Sequence, residues 1–137
     1  RAINIHAGVS PYYRGTDCNF WALYDDNPHL VGTSIHLLSK GLDSGPMLYH
    51  AMSNIKTSPF DYTMSAIKSA FHSVVKRIKD NSIFKINPIV QDKSKEIRYS
   101  RKNEFNEEIA KEYFKKEVNL NNKKFDNSLL KEPFFLN

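Results

Sequence analysis

The stretch after Thr57-Ser58-Pro59 constrains this chain most. Its apolar residues at Met64, Ile67, Phe71, Val74, Val75 and Ile78 recur at helical spacing, and Pro is well placed at a helix start. The pattern predicts a long helix with one buried face. The residues ahead of it read as short strands parted by glycine and proline. Ala2-Ile3-Asn4-Ile5-His6 alternates apolar and polar residues, which predicts a strand with Asn4 and His6 on one side and Ile3 and Ile5 on the other. Residues 7–15, with two Gly and one Pro, read as loop. Thr16 or Asp17 can cap a short helix through Phe20, Trp21, Leu23 and Tyr24, closed by the turn Asp25-Asp26-Asn27-Pro28. A strand over about 31–38, a loop over 39–46 and extended chain over 47–55 follow.

Beyond the long helix, residues 83–90 are predicted to be extended, with Pro88 limiting them to an edge or a short strand. Asn103 or Asn106 can cap a second helix running to about residue 118, with Phe105, Ile109, Tyr113 and Phe114 as its apolar contacts. Leu129-Leu130 and Phe134-Phe135-Leu136 are expected to dock on the domain or on a second copy, which would make a homodimer. The order of elements predicts an α/β fold, a mixed sheet with flanking helices. It divides into a first part over 1–90 and an extension over 91–137 that carries one helix and a docking tail.

A length of 137 residues suits one domain, and 40% hydrophobic residues suffice for a core. The net charge of +5 favours anionic ligands, but the charges are scattered, so a solvated surface is a better reading than a nucleic-acid patch, and a phosphate-bearing small substrate fits as easily as RNA. Cys18 is the single cysteine, so no intrachain disulfide can form and a reducing, cytoplasmic setting is expected. No apolar run approaches the roughly 20 residues of a membrane span, and no signal-peptide pattern opens the chain, so no membrane partner is expected.

Asn4 and His6 share a strand face, and Asp43 sits in a glycine-flanked loop between two strands. In open α/β sheets, ligand sites gather at loops beyond strand ends, so a loop carboxylate can approach side chains on a neighbouring strand. An amide, an imidazole and a carboxylate in one cleft suit acyl transfer between nitrogens. The attacking amine loses a proton, the carbonyl oxygen becomes an oxyanion, and the departing nitrogen gains a proton. Taken singly, Asn4 also suits a strand end, His6 a hydrogen-bonded core and Asp43 a turn.

The ordered set Asn4-Ile5-His6, Pro11, Tyr13-Arg14-Gly15, Trp21-Ala22, Gly32, Ile35-His36-Leu37 and Gly41-Leu42-Asp43-Ser44-Gly45-Pro46 resembles the landmarks of the 10-formyltetrahydrofolate-dependent formyltransferases, over about residues 3–48. The resemblance implies that the chain is the C-terminal part of a Rossmann-like formyltransferase fold whose N-terminal half is absent. It implies catalytic roles for Asn4, His6 and Asp43, a supporting role for His36, and 10-formyltetrahydrofolate as co-substrate. It also implies that the loop before Asp43, namely Ser39, Lys40, Gly41 and Leu42, wraps the pterin largely with backbone groups. Ala7-Gly8-Val9-Ser10-Pro11 departs from the Pro-Ser-Leu-Leu-Pro of many relatives, and Ser39-Lys40 replaces their acidic pair.

The run Arg14-Gly15-Thr16-Asp17-Cys18-Asn19-Phe20-Trp21 is similar to the sugar N-formyltransferases. It implies a small-molecule amine on a nucleotide-linked sugar as acceptor, with Tyr12, Tyr13 and Arg14 as substrate contacts. Glycinamide ribonucleotide and methionyl-tRNA formylation are the alternatives; the barrel domain of the tRNA enzymes would not fit in the residues after 118. His6, His29, His36, His50 and His72 show no His-Glu-x-x-His or comparable pair, so no metal site is expected. A basic binding module and an inactive remnant are the non-enzymatic readings.

Overall fold

The computed structural model describes residues 2–116, 120 and 126–136. In chain order it comprises β1 (Ile3–His6), β2 (Tyr13–Gly15), α1 (Cys18–Tyr24), β3 (Thr33–Leu37), β4 (Met47–Ser53), α2 (Pro59–Lys79), β5 (Arg98–Ser100), α3 (Glu107–Lys115) and β6 (Phe134–Leu136), with short 3-10 turns between them. The fold is α/β, as the alternation of patterns predicts. Four strands form a mixed sheet in the order β1-β3-β4-β6, with β1/β3 and β3/β4 antiparallel and β4/β6 parallel. The register sets Asn4 opposite His36 and His6 opposite Ser34.

Period-two alternation turns Ile3 and Ile5 towards a core of Ile35, Leu48, Tyr49, Ala51, Ala70, Ile83 and Ile86. A second core gathers Val9, Trp21, Leu23, Leu30, Met52 and Tyr62 beneath α1. The glycine-rich segment after β1 hides β2, which pairs in parallel with β5. Three residues are too short for periodicity to register, which is why the sequence reads there as loop.

Helix α2 forms where expected, with Ser58 accepting the Asp61 N–H and Pro59 in the first turn. Its buried face is not the predicted one. Tyr62, Ala66, Ser69, Ala70 and Ser73 face the interior, whereas Met64, Phe71, Val75 and Ile78 are exposed and Ile67 and Val74 are half-buried. Small side chains let the helix lie close on the sheet, where Thr33 donates to the Ala66 carbonyl and the Tyr49 hydroxyl meets Ser73.

Two further expectations change. Residues 82–85 form a 3-10 turn that drops Ile83 into the core, and in the stretch 83–90 only Ile89 pairs, bridging Met47. Asn106 caps α3 through the Ile109 N–H, but Phe114 points outward at 83% exposure while Tyr113 is buried. The expected continuation of α3 to residue 118 lies outside the described residues. The tail docks on its own domain: Leu129 and Leu130 pack on the α1 core and β6 joins the sheet. No helix among the described residues is long and apolar enough to cross a membrane.

His50, on β4, ties this tail to the loop after β1. Its ring is 1% exposed, donates Nε2–H to the Ser10 carbonyl at 2.8 Å and accepts the Lys131 N–H at Nδ1 at 2.9 Å. Burial pushes its pKa down to about 4. An unfolded histidine titrates near 6.5, so only the unfolded chain takes up this proton between the two values. The stabilisation is complete above pH 6.5 and is lost as pH falls towards 4, by about 3 kcal/mol over that window. Urea denaturation at pH 7.5 and 4.5 is expected to show this slope, and His50→Gln to flatten it. A His50→Gln slope equal to that of the parent chain would contradict the assignment.

Candidate active site

Strand alternation turns Asn4 and His6 to the same side of β1, and β3 presents His36 directly opposite Asn4. The loop after β3 brings Asp43 back over all three. Asn4 Nδ2 lies 3.2 Å from Asp43 Oδ1 and 3.2 Å from His36 Nε2, and His6 Nδ1 lies 3.3 Å from Asp43 Oδ2. His36 Nδ1 faces the Leu37 carbonyl at 2.9 Å. That contact fixes its proton on Nδ1 and leaves Nε2 to accept from Asn4. The amide of Asn4 therefore gives one hydrogen to the imidazole and one to the carboxylate.

His6 is held from the other side. Its Nε2 points at the Tyr13 carbonyl at 3.4 Å, with the Cys18 thiol 3.6 Å away. The ring is 7% exposed, and burial lowers its pKa against the opposing pull of the Asp43 carboxylate. With Nε2–H given to Tyr13, the lone pair on Nδ1 faces Oδ2. The two groups together form a polar site enclosed by protein. Burial also pushes the Cys18 thiol up to about 12, so it stays protonated.

Backbone geometry supports this placement. Asp43 adopts a left-handed φ of 49°, a conformation that Asp tolerates better than most residues. A Cβ on Gly45 would stand 1.7 Å from the Leu37 carbonyl oxygen, so only glycine lets the loop pass that strand end. Gly8 is also confined, by side chains: a Cβ there would lie 2.7 Å from His6 Nε2 and 2.5 Å from the Cys18 Cβ. Ser34 accepts the Ser10 N–H and donates to the Gly8 carbonyl, pinning the segment between β1 and β2.

Ser39, Lys40, Gly41 and Leu42 form an exposed rim next to Asp43, with Leu38 and Leu42 more than half exposed. A flat heterocycle can lie against such a rim. Arg14 is anchored at both ends of its fork, donating to Glu96 at 3.0 Å and to the Leu42 carbonyl at 3.1 Å, with its guanidinium 5.6 Å from the Tyr99 ring centre. Tyr12 is 8% exposed. Tyr13 is 1% exposed, its hydroxyl donating to Asp25 and accepting from Asn27, so it offers the site a main-chain carbonyl and not its side chain. Among the described residues, no three His, Cys, Asp or Glu side chains form a group that could hold a metal ion.

Three residues at the site escaped sequence reasoning: Cys18, Glu96 and Gln91. Gln91 donates from Nε2 to the carbonyls of both Asp43 and Gly45 at 2.8 Å. No local pattern signals a glutamine 48 residues from its partner.

Residues 1–78 match the family model described as formyl transferase. Over 64 residues the chain is 39% identical to a methionyl-tRNA formyltransferase of Thermosynechococcus vestitus, covering 47% of this chain and 19% of that protein. Among solved structures it resembles the formyltransferase PseJ of Anoxybacillus kamchatkensis, in complex with UDP-4,6-dideoxy-4-formamido-L-AltNAc and tetrahydrofolate. The TM-score is 0.58 at 26% identity, over 76% of this chain and 54% of the other. A 4-N formyltransferase of Francisella tularensis shares the fold, with a TM-score of 0.61 at 24% identity over 75% of this chain and 42% of that one. The chain thus spans about a fifth of the length of the curated relative and about half of the solved ones.

Proposed function

This chain belongs to the formyl transferase family, and from that premise we propose that it transfers a formyl group from 10-formyltetrahydrofolate to a primary amine on a nucleotide-linked amino sugar. The observation that carries the reading is the meeting of amide, imidazole and carboxylate within 3.2–3.3 Å at the foot of an exposed loop. Each step of transfer between nitrogens then has a group to perform it. The His6–Asp43 pair takes the proton of the attacking amine, on Nδ1 or Oδ2, and returns it to the departing nitrogen. The Asn4 amide turns a hydrogen from Asp43 towards the carbonyl oxygen as negative charge develops there. His36 keeps that amide oriented. Ser39, Lys40, Gly41 and Leu42 hold the folate ring, mainly through main-chain groups.

Tyr12 and Arg14 line the approach of the acceptor, and Arg14 also braces the folate loop through Leu42. Residues 91–137 serve the catalytic part, 1–90, as an extension that reaches back to its site. The sugar acceptor is supported by the Arg14-Gly15 and Asn19-Phe20-Trp21 pattern and by the likeness to PseJ. The sequence likeness to a methionyl-tRNA formyltransferase favours a second acceptor, the aminoacyl group of a charged tRNA.

The test is turnover with 10-formyltetrahydrofolate against UDP- and dTDP-linked amino sugars and against methionyl-tRNA, alongside calorimetric titration with folinic acid. Saturable folinic acid binding with sugar formylation is expected. Formylation of the tRNA alone would move the assignment to the second acceptor. No folate binding, with histidine signals showing a folded chain, would overturn the reading.

A further inference from the structure

We infer that Gln91 is a positioning residue for Asp43, setting the carboxylate between Asn4 and His6 by clamping the main chain on both sides of the turn. Gln91 is 8% exposed. It stands two residues beyond Ile89, which exchanges backbone hydrogen bonds with Met47 at 2.7 and 2.9 Å and so ties this segment to the start of β4. From there the side chain crosses back to the loop. Its Nε2 donates to the Asp43 carbonyl and the Gly45 carbonyl, both at 2.8 Å. Two carbonyl acceptors fix the orientation of the amide, because a flip would set Oε1 against two oxygens.

Oε1 has no hydrogen-bond partner among the described residues. A buried amide is a costly way to fill space that Leu or Met would fill more cheaply, unless its hydrogen bonds are used. The value of the residue therefore lies in its two donors. They act on a turn that needs holding: Asp43 is left-handed, and the rim before it is exposed. Arg14 grips Leu42 from the outside while Gln91 grips Asp43 and Gly45 from the inside. The carboxylate is kept within 3.3 Å of His6 Nδ1 by the chain that carries it.

The readout is the titration of His6, followed by NMR of the imidazole nitrogens in the whole chain. The groups that act on this ring are Asp43, which raises its pKa, and His36 and Arg14, which lower it, together with the Tyr13 carbonyl and the neutral Cys18 thiol. Asp43→Asn removes the one attractive charge and lowers the His6 pKa further. Gln91→Leu is expected to shift His6 in the same direction, and the double variant to add little to Asp43→Asn, since Gln91 acts through Asp43. Gln91→Met keeps the length, loses the paired donors without adding charge and is expected to behave likewise; it stands in if Gln91→Leu does not fold. A His6 titration unmoved by either folded variant, while Asp43→Asn moves it, would overturn the inference. So would equal, additive shifts in the double variant.

This arm holds whatever reaction the site performs. A second arm rests on the proposed formyl transfer: kcat is expected to fall 10- to 100-fold with the KM for the amine unchanged, the signature of a displaced base.

Discussion

Asp43→Asn is expected to lower kcat for formyl transfer by about 1,000-fold, within the range typical for losing a positioned proton acceptor, while the chain stays folded. Asparagine is the informative replacement because it is isosteric and, like Asp, tolerates the left-handed conformation at φ 49°. The amide can still meet Asn4 and His6, but it cannot hold a proton. It also withdraws the charge that supports protonation of His6, so the pair that receives the amine's proton is dismantled on both sides. His6→Ala should cost a comparable factor and Asn4→Ala somewhat less, with the double variant His6→Ala/Asp43→Asn no worse than either alone, since the groups act as a unit. Steady-state kinetics with circular dichroism as the folding control decide the point. Near-normal turnover in Asp43→Asn would remove the carboxylate from the mechanism.

The second large effect concerns the chain beneath the site. Gly45→Ala places a methyl group 1.7 Å from the Leu37 carbonyl oxygen and 3.0 Å from His36 Nδ1. Main-chain oxygen cannot step aside as a flexible side chain can, so either the loop lifts or the end of β3 moves. Lifting the loop breaks the Gln91 contacts and carries Asp43 away from His6; moving β3 disturbs His36 and through it Asn4. We expect a stability loss of about 3 kcal/mol, typical of strain forced on a tight backbone site, together with a fall in turnover as large as that of Asp43→Asn. Urea denaturation and kinetics on the same preparation test both. Ser44→Ala, which removes only an exposed hydroxyl contact to Ser39, should do neither.

How far the sequence foretold this molecule depends on the range of the interactions concerned. The strand carrying Asn4 and His6 was legible because alternation is a local signal, and so was α2, with proline and a capping serine at its start. The facing of α2 was not: burial there follows the closeness of helix and sheet, which favours Ala66, Ala70 and Ser73 over the larger Phe71 and Val75. Strand β2 and its partner β5, 85 residues apart at Tyr13 and Arg98, carry too few residues for any pattern. Asn4, His6, His36 and Asp43 were picked out mainly by resemblance, and the geometry that joins them depends on strand register and a glycine turn. Gln91 and Glu96 could not be found in this way, because each matters only through a distant main chain or side chain.

The parallel partnership of β6 with β4 bears on the moment at which this fold can be completed. Everything from β1 to α2 emerges from a ribosome long before Phe134, yet the outer flank of β4 and the ring of His50 wait for Lys131 to Leu136. During synthesis the nascent sheet carries an unsatisfied border, and a pause just before those residues leaves it open to pairing with strangers.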